Sequence, residues 1–210
     1  MSDAVLTVQW EAGGITVAMV GEGGEERGRA TATPATVAGV CGQVVQAFGA
    51  ALSQVQVSAV PGLVAVDAAG SPVAVLVGDD PDTTPDAGWL TGRLPGKAED
   101  WQTAVGAAPD ASWTLAKLSW LHRSDAAAWS AMAAALTPQA WLVAALTGDA
   151  VTDAADASRT GAWADGTYRW DLLAIVDGGL DWAGMVPAVA APDAPLGTWR
   201  GAPILAGGRG

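Results

Sequence analysis

Apolar and polar residues alternate along the first third of the chain in the manner of half-buried strands. Val5-Leu-Thr-Val8 and Ile15-Thr-Val-Ala-Met-Val20 are two such runs, and Gly13-Gly14 between them predicts a hairpin. A Gly/Glu-rich turn over 21–28 leads to a third short strand near 29–33. Thr33-Pro34 then reads as an N-cap followed by proline at the first helical position. Val37, Val40, Val44, Phe48 and Leu52 recur at helical spacing behind it and predict one apolar stripe facing a sheet. Gly39, Gly42 and Gly49 either weaken that helix or let it pack closely. Three nearly all-apolar strands follow over 55–60, 63–67 and 73–77, with Asp67-Ala-Ala-Gly70 as the turn between the last two; their composition predicts burial on both faces.

From about Asp79 to Asp110 the chain is rich in Pro, Gly and Asp and reads as an irregular excursion. The second half is helical. Leu115, Leu118 and Leu121-His122 define one helix with Ser112 as its candidate cap. Ser124-Asp125 starts another that holds Trp129 and Met132. Thr137-Pro138 starts a third, through Trp141 and Leu146 to a stop at Gly148, and 170–176 is a fourth, stopped by Gly178-Gly179. Three strands, a helix, more strands and then helices predict an α/β fold with a mixed sheet and flanking helices. No internal repeat is visible.

Composition narrows the function. Half of the 210 residues are hydrophobic and 15% are charged, enough for a substantial core in a single domain. No apolar run approaches membrane-spanning length, and the start, Met1-Ser-Asp-Ala, lacks the basic and apolar regions of a signal peptide, so a cytoplasmic protein is expected. Cys41, the one cysteine, falls on an apolar helix face and reads as a buried, inert thiol. His122, the one histidine, reads as a solvated helix-end residue. The net charge of −12 argues against a nucleic-acid partner. The absence of asparagine and the presence of only two lysines suggest a genome-wide composition bias, which weakens any argument from scarce lysine.

One dense polar stretch, Val151-Thr-Asp-Ala-Ala-Asp-Ala-Ser-Arg-Thr-Gly161, raises the question of an active site. It belongs to an ordered set. Lys117-Leu-Ser-Trp-Leu-His122 with Ser124-Asp-Ala behind it, Leu136-Thr-Pro-Gln-Ala-Trp-Leu142, Leu146-Thr-Gly148, Thr152-Asp153 with Asp156-Ala-Ser-Arg-Thr160, Tyr168-Arg-Trp170-Asp171 and Met185-Val-Pro187 follow one another in that sequence. This set, over roughly 112–200, resembles the FGGY family of carbohydrate kinases, to which xylulokinase and glycerol kinase belong. Asp67-Ala-Ala-Gly-Ser-Pro72 is similar to that family's Asp-x-x-Gly-x-Pro turn. The resemblance implies the N-terminal, sugar-binding domain of such a kinase, of actin-like (ribonuclease H-like) fold, over 1–210: a strand-rich half (1–80), an irregular excursion (81–111) and a helical half (112–200). The C-terminal kinase domain is expected to be absent.

Phosphoryl transfer to a sugar hydroxyl needs charge neutralisation around the phosphates and a base for the hydroxyl proton. The family's first hairpin carries Asp-x-Gly-Thr, and here Gln9 stands where the Asp belongs, with Gly13 and Gly14 as the glycines implied for cofactor binding. Glu11 is either a displaced substitute or an exposed hairpin glutamate. The family's Gln-Met-His-Gly sugar contacts correspond to Ala59-Val-Pro-Gly62, which keeps only the glycine. Its Trp-Asn-Asp corresponds to Gly78-Asp79-Asp80, where Asp80 is the candidate substrate ligand or part of a plain turn before Pro81. The base of the Gly-Gly-Gly-Asp-like motif falls on Gly210, beside Arg209, which cannot accept a proton. No catalytic residue and no metal ligand is therefore assigned. ATP and Mg are implied only if the family's activity is retained.

The 151–161 stretch is expected to be architecture: Thr152 and Asp153 in local side-chain-to-backbone bonds, Arg159 paired with a carboxylate. Trp113, Trp120, Trp129 and Trp141 are expected to pack in the core. The expected function is that of a degenerate carbohydrate kinase-like domain, non-catalytic by itself, with a sugar as possible ligand. The alternative is half of a split kinase acting on a pentose or polyol. The expected partners are a second copy, in a homodimer, or a C-terminal-domain chain, with neither nucleic acid nor membrane, and Ile204-Leu-Ala206 is expected to pair into the domain's own sheet or into another subunit.

Overall fold

Alternation in β1 (Asp3–Glu11) sorts its side chains by face: Ala4, Leu6, Val8 and Trp10 are buried, while Gln9 and Glu11 are exposed. The computed structural model describes residues 3–11, 13–49, 51–79 and 81–207. β2 (Gly14–Gly21) returns antiparallel on β1, from Glu11↔Gly14 to Ala4↔Gly21, so the predicted hairpin is present. Gly14 sits at φ 128°, where a side chain would be strained. β3 (Glu26–Ala32) begins three residues before the predicted strand and adds antiparallel to β2.

The next helix starts later than its proline suggests. Thr36 and Val37 N–H both donate to Thr33 O at 3.0 Å, and Thr33 N–H donates to Thr36 Oγ1 at 2.9 Å. These bonds close a turn over 33–36, a local alternative to helix that threonine side chains favour, and α1 runs Val37–Phe48. Its buried stripe is Val37, Cys41 and Val44. Phe48 is 42% exposed, and Leu52 lies beyond the helix in β4 (Ala51–Ala59), because Gly49 turns left-handed at φ 56° and ends it.

The strands over 63–67 and 73–77 do not join the sheet built by β1 to β4. β5 (Gly62–Val66) and β6 (Pro72–Val77) pair antiparallel in a separate sheet. Val60 N–H still donates to Trp10 O, but Pro61 has no N–H with which to continue the ladder. β5 is buried throughout as predicted; β6 is not, and Val75 is exposed. The excursion after them is also not irregular. It holds α2 (Thr84–Thr91) and α3 (Ala98–Val105). Pro85 and Asp86 are first-turn residues of α2, so part of its turn-like composition is a helix start.

α4 (Thr114–Ser124) is capped at Trp113 rather than Ser112, whose N–H donates instead to Asp110 Oδ1 at 2.8 Å. α5 (Ala126–Ala131) begins where expected: Asp125 Oδ1 accepts from Ala128 N–H at 2.9 Å. Then come β7 (Ala134–Leu136) and α6 (Pro138–Thr147), which stops at the predicted Gly148, φ 91°. β8 (Val151–Thr152), α7 (Ala154–Ser158), β9 (Trp163–Ala164) and β10 (Thr167–Tyr168) are short. α8 (Trp170–Leu173) ends earlier than predicted and continues as single turns to Val176. β11 (Ala188–Val189), β12 (Gly197–Trp199) and β13 (Ala202–Ala206) complete the chain.

Two compact units result, and the chain passes between them four times. The first comprises 1–60, 139–153 and 188–210. Its mixed six-stranded sheet has the order β12-β13-β4-β1-β2-β3, with β4 parallel to both β1 and β13, and α1 packs on β2 and β3. The second comprises 61–138 and 154–187. It holds the antiparallel sheet β6-β5-β7 and a core that includes Leu63, Trp101, Leu115, Leu118, Leu121 and Leu172. The class is α/β, with a mixed sheet and flanking helices. Among the described residues, no helix is long and apolar enough to cross a membrane.

Candidate functional site

The resemblance would put the phosphate- and metal-organising residues on the hairpin of the first unit. Gln9 pairs with Thr16 on β2 and Ser58 on β4, and its side chain is on the exposed side of β1. Glu11, Gly13 and Gly14 are exposed around it. A carboxylate here would bring negative charge to a divalent cation, whereas a glutamine amide offers only a neutral oxygen. Among the described residues, no group of three or more His, Cys, Asp or Glu side chains is placed to hold a metal ion. The residues present do not fit the metal site that the resemblance implies. Cys41, on α1 in the same unit, is fully buried, and burial pushes its thiol up to about 12, so it is no nucleophile.

Two of the positions matched to sugar contacts, Gly62 and Gly78, have structural occupations. A Cβ on Gly62 would lie 2.5 Å from Leu76 O and 3.1 Å from Val77 Cα, so this glycine serves the close pairing of β5 with β6. Asp67 Oδ1 accepts from Ala69 and Ser71 N–H, both at 2.9 Å, which explains the Asp-x-x-Gly-x-Pro pattern as an Asx-type turn. At the end of β6, Gly78 turns at φ 65° and its carbonyl accepts from Lys117 Nζ at 2.8 Å. Lys117 is fully buried in α4. It anchors the backbone just before Asp79, which is exposed. The signal for this role was a lysine inside the apolar run Leu115-Ala-Lys-Leu118. Asp80 and Gly210 lie outside the described residues.

The 151–161 cluster is held from outside itself. Gln139 Nε2 donates to Thr152 Oγ1 at 3.3 Å and to Asp153 Oδ2 at 2.7 Å, tying β8 to α6. Asp156, 4% exposed, accepts a short hydrogen bond from Thr137 Oγ1. Ser158 and Thr160 hydroxyls donate to Ala155 and Ala157 carbonyls, as local bonds do. The ion pair expected of Arg159 is not found among the described residues; its carbonyl accepts from Thr114 N–H instead. Burial, and secondarily the charge of Asp156, push the Tyr168 phenol up. The tryptophans pack as expected: Trp113 and Trp141 are buried, and Trp120 and Trp129 rest half-buried against the core. His122 is exposed in the last turn of α4.

Comparison with known proteins bears on the family and the fold. The profile of the FGGY family of carbohydrate kinases, N-terminal domain, matches residues 31–197. A xylulose kinase of Streptomyces coelicolor is 38% identical over 140 residues, which are 66% of this chain and 29% of that protein. The solved xylulose kinase from Bifidobacterium adolescentis has the same fold at TM-score 0.76 and 23% identity, over 93% of this chain and 49% of that one. The xylulose kinase from Rhodospirillum rubrum has it at TM-score 0.79 and 17% identity, over 98% and 49%. This chain thus spans about half the length of the solved kinases it matches.

Proposed function

Because the chain belongs to the FGGY family of carbohydrate kinases, we propose that it is a degenerate N-terminal domain of that family, unable to phosphorylate a sugar by itself. The observation that carries this reading is Gln9, exposed on β1 at the family's acid position. Its amide neither neutralises a cation nor repels a phosphate, so position 9 keeps its place in the sheet without a charge.

The test is an ATP-dependent phosphorylation assay of the full chain against xylulose, other pentoses and polyols. No turnover above background is expected. Turnover at an ordinary kinase rate, about 1–100 s⁻¹, would end this reading.

A second reading starts from the same family match. On that reading it is one half of a two-chain kinase that transfers phosphate from ATP to a pentose or polyol. Activity restored by adding a separately produced C-terminal half of a xylulose kinase would select it over the first.

A further inference from the structure

A cavity of about 490 Å³ lies between α2 and α4, and Val176 forms part of its wall. None of its residues is one of the positions matched above to the family's acids or sugar contacts. Asp86 of α2 is 3% exposed, and it accepts from Ser119 Oγ at 2.9 Å and Arg123 Nη2 at 3.0 Å, both on α4. The buried carboxylate holds the guanidinium in place while the Arg123 side chain remains 61% exposed. One of its five N–H donors is used, and among the described residues no other group takes the rest. Trp89, 38% exposed, lines the same cavity, and the Arg93 guanidinium sits 4.0 Å from its ring centroid. His122, also on the cavity wall, has its ring centroid 4.5 Å from that of Trp129, the planes tilted by 40°.

In a chain of net charge −12 with only 10 Lys and Arg residues, this puts Arg123, the only histidine and Trp89 on one cavity wall, with Arg93 against Trp89. The Asp86–Arg123 pair is neutral overall, so an oxyanion would be held by the unused guanidinium N–H donors rather than by net charge. A cavity of this size, largely apolar with a few convergent polar groups, is the form of a small-molecule site. A guanidinium with free parallel donors selects planar or tetrahedral oxyanions. We propose that the cavity between α2 and α4 binds a small organic oxyanion, a carboxylate or phosphate monoester carried on a flat apolar body. The oxyanion pairs with Arg123, and the body lies against Trp89 and Val176.

Calorimetric titration of the full chain with benzoate and with phenyl phosphate tests this, with inorganic phosphate and benzyl alcohol as probes of charge alone and apolar body alone. One-site saturable binding of benzoate or phenyl phosphate is expected, and whichever binds tighter identifies the oxyanion. Losing a charge-assisted hydrogen bond weakens binding about tenfold or more, and Arg123→Gln should show that loss. Because Arg123→Gln leaves Asp86 buried without its partner, Arg123→Lys and Trp89→Ala are measured as well; each should weaken binding while the far-ultraviolet dichroism stays that of the parent. Absence of saturation by both aromatic anions, binding unchanged in both Arg123→Lys and Trp89→Ala, or equal binding of inorganic phosphate would overturn the proposal.

Discussion

Cys41 shows how one buried position links sequence to a measurable property. Its helical spacing put it on an apolar face, and the structure buries it completely. Burial disfavours the thiolate and raises the thiol from 9.0 to about 12. Between those values the unfolded chain has released a proton that the folded chain still holds, so this group makes stability fall as pH rises from about 9 towards 12. The expected result is no reaction with a thiol reagent in native protein at pH 8, and a stability decline above pH 9 that is shallower in Cys41→Ala. Urea titrations at pH 8 and pH 10.5 check it. Gly62 is the opposite kind of residue. Its pattern match pointed to a sugar-binding loop, but the tight pairing behind it, 2.5 Å to Leu76 O, is invisible in sequence. Gly62→Ala should cost about 1–3 kcal/mol through overpacking, measured as a lower urea midpoint; an unchanged midpoint would show that β6 yields.

Elements were legible where caps and periodicity agreed. α5 begins at Asp125 because an aspartate side chain can take an orphan N–H, and Asp125→Ala should cost about 0.5–2 kcal/mol in denaturant unfolding. α1 was legible in its stripe but misplaced at its start, because Thr33 and Thr36 satisfy one another first. α2 and α3 were not legible at all. Each is eight residues long, and what stabilises α3 is Trp101, fully buried, with Nε1 donating to Leu90 O at 3.0 Å. β13 was expected to find a sheet, and it lies between β12 and β4 in its own unit. Ending the chain at Gly201 removes buried Ala202 and Ile204 and opens the edge of β4 beside Val55 and Val57. A loss of about 2–5 kcal/mol is expected from the isoleucine alone, with aggregation through the bare strand. Light scattering and urea unfolding of the shortened chain test this, and an unchanged midpoint would mean β13 adds nothing.

Charge is a property of the whole molecule. With 22 acidic against 10 basic side chains and a pI near 4.2, self-repulsion holds molecules apart at neutral pH. Turbidity should peak close to pH 4.2 and fall on either side; a flat profile would show that exposed apolar surface, not net charge, sets solubility. The two units belong to this scale as well. Each is assembled from segments that are distant in sequence, 1–60 with 139–153 and 188–210 in one, 61–138 with 154–187 in the other.

Sequence alone determined the family resemblance, the first hairpin, the helices after Asp125 and Thr137 and the buried cysteine. These depend on local chemistry: alternation, capping, side-chain identity. Tertiary structure decided where β5 and β6 pair, that the excursion after Asp79 folds into α2 and α3, and that Asp153 and Asp156 are held by Gln139 and Thr137. It also decided that Asp86, Ser119 and Arg123, up to 37 residues apart, meet at one cavity. The physical reason is common to all four. Each depends on a partner outside the element itself, and a local pattern carries no information about which other group will supply the other half of a bond.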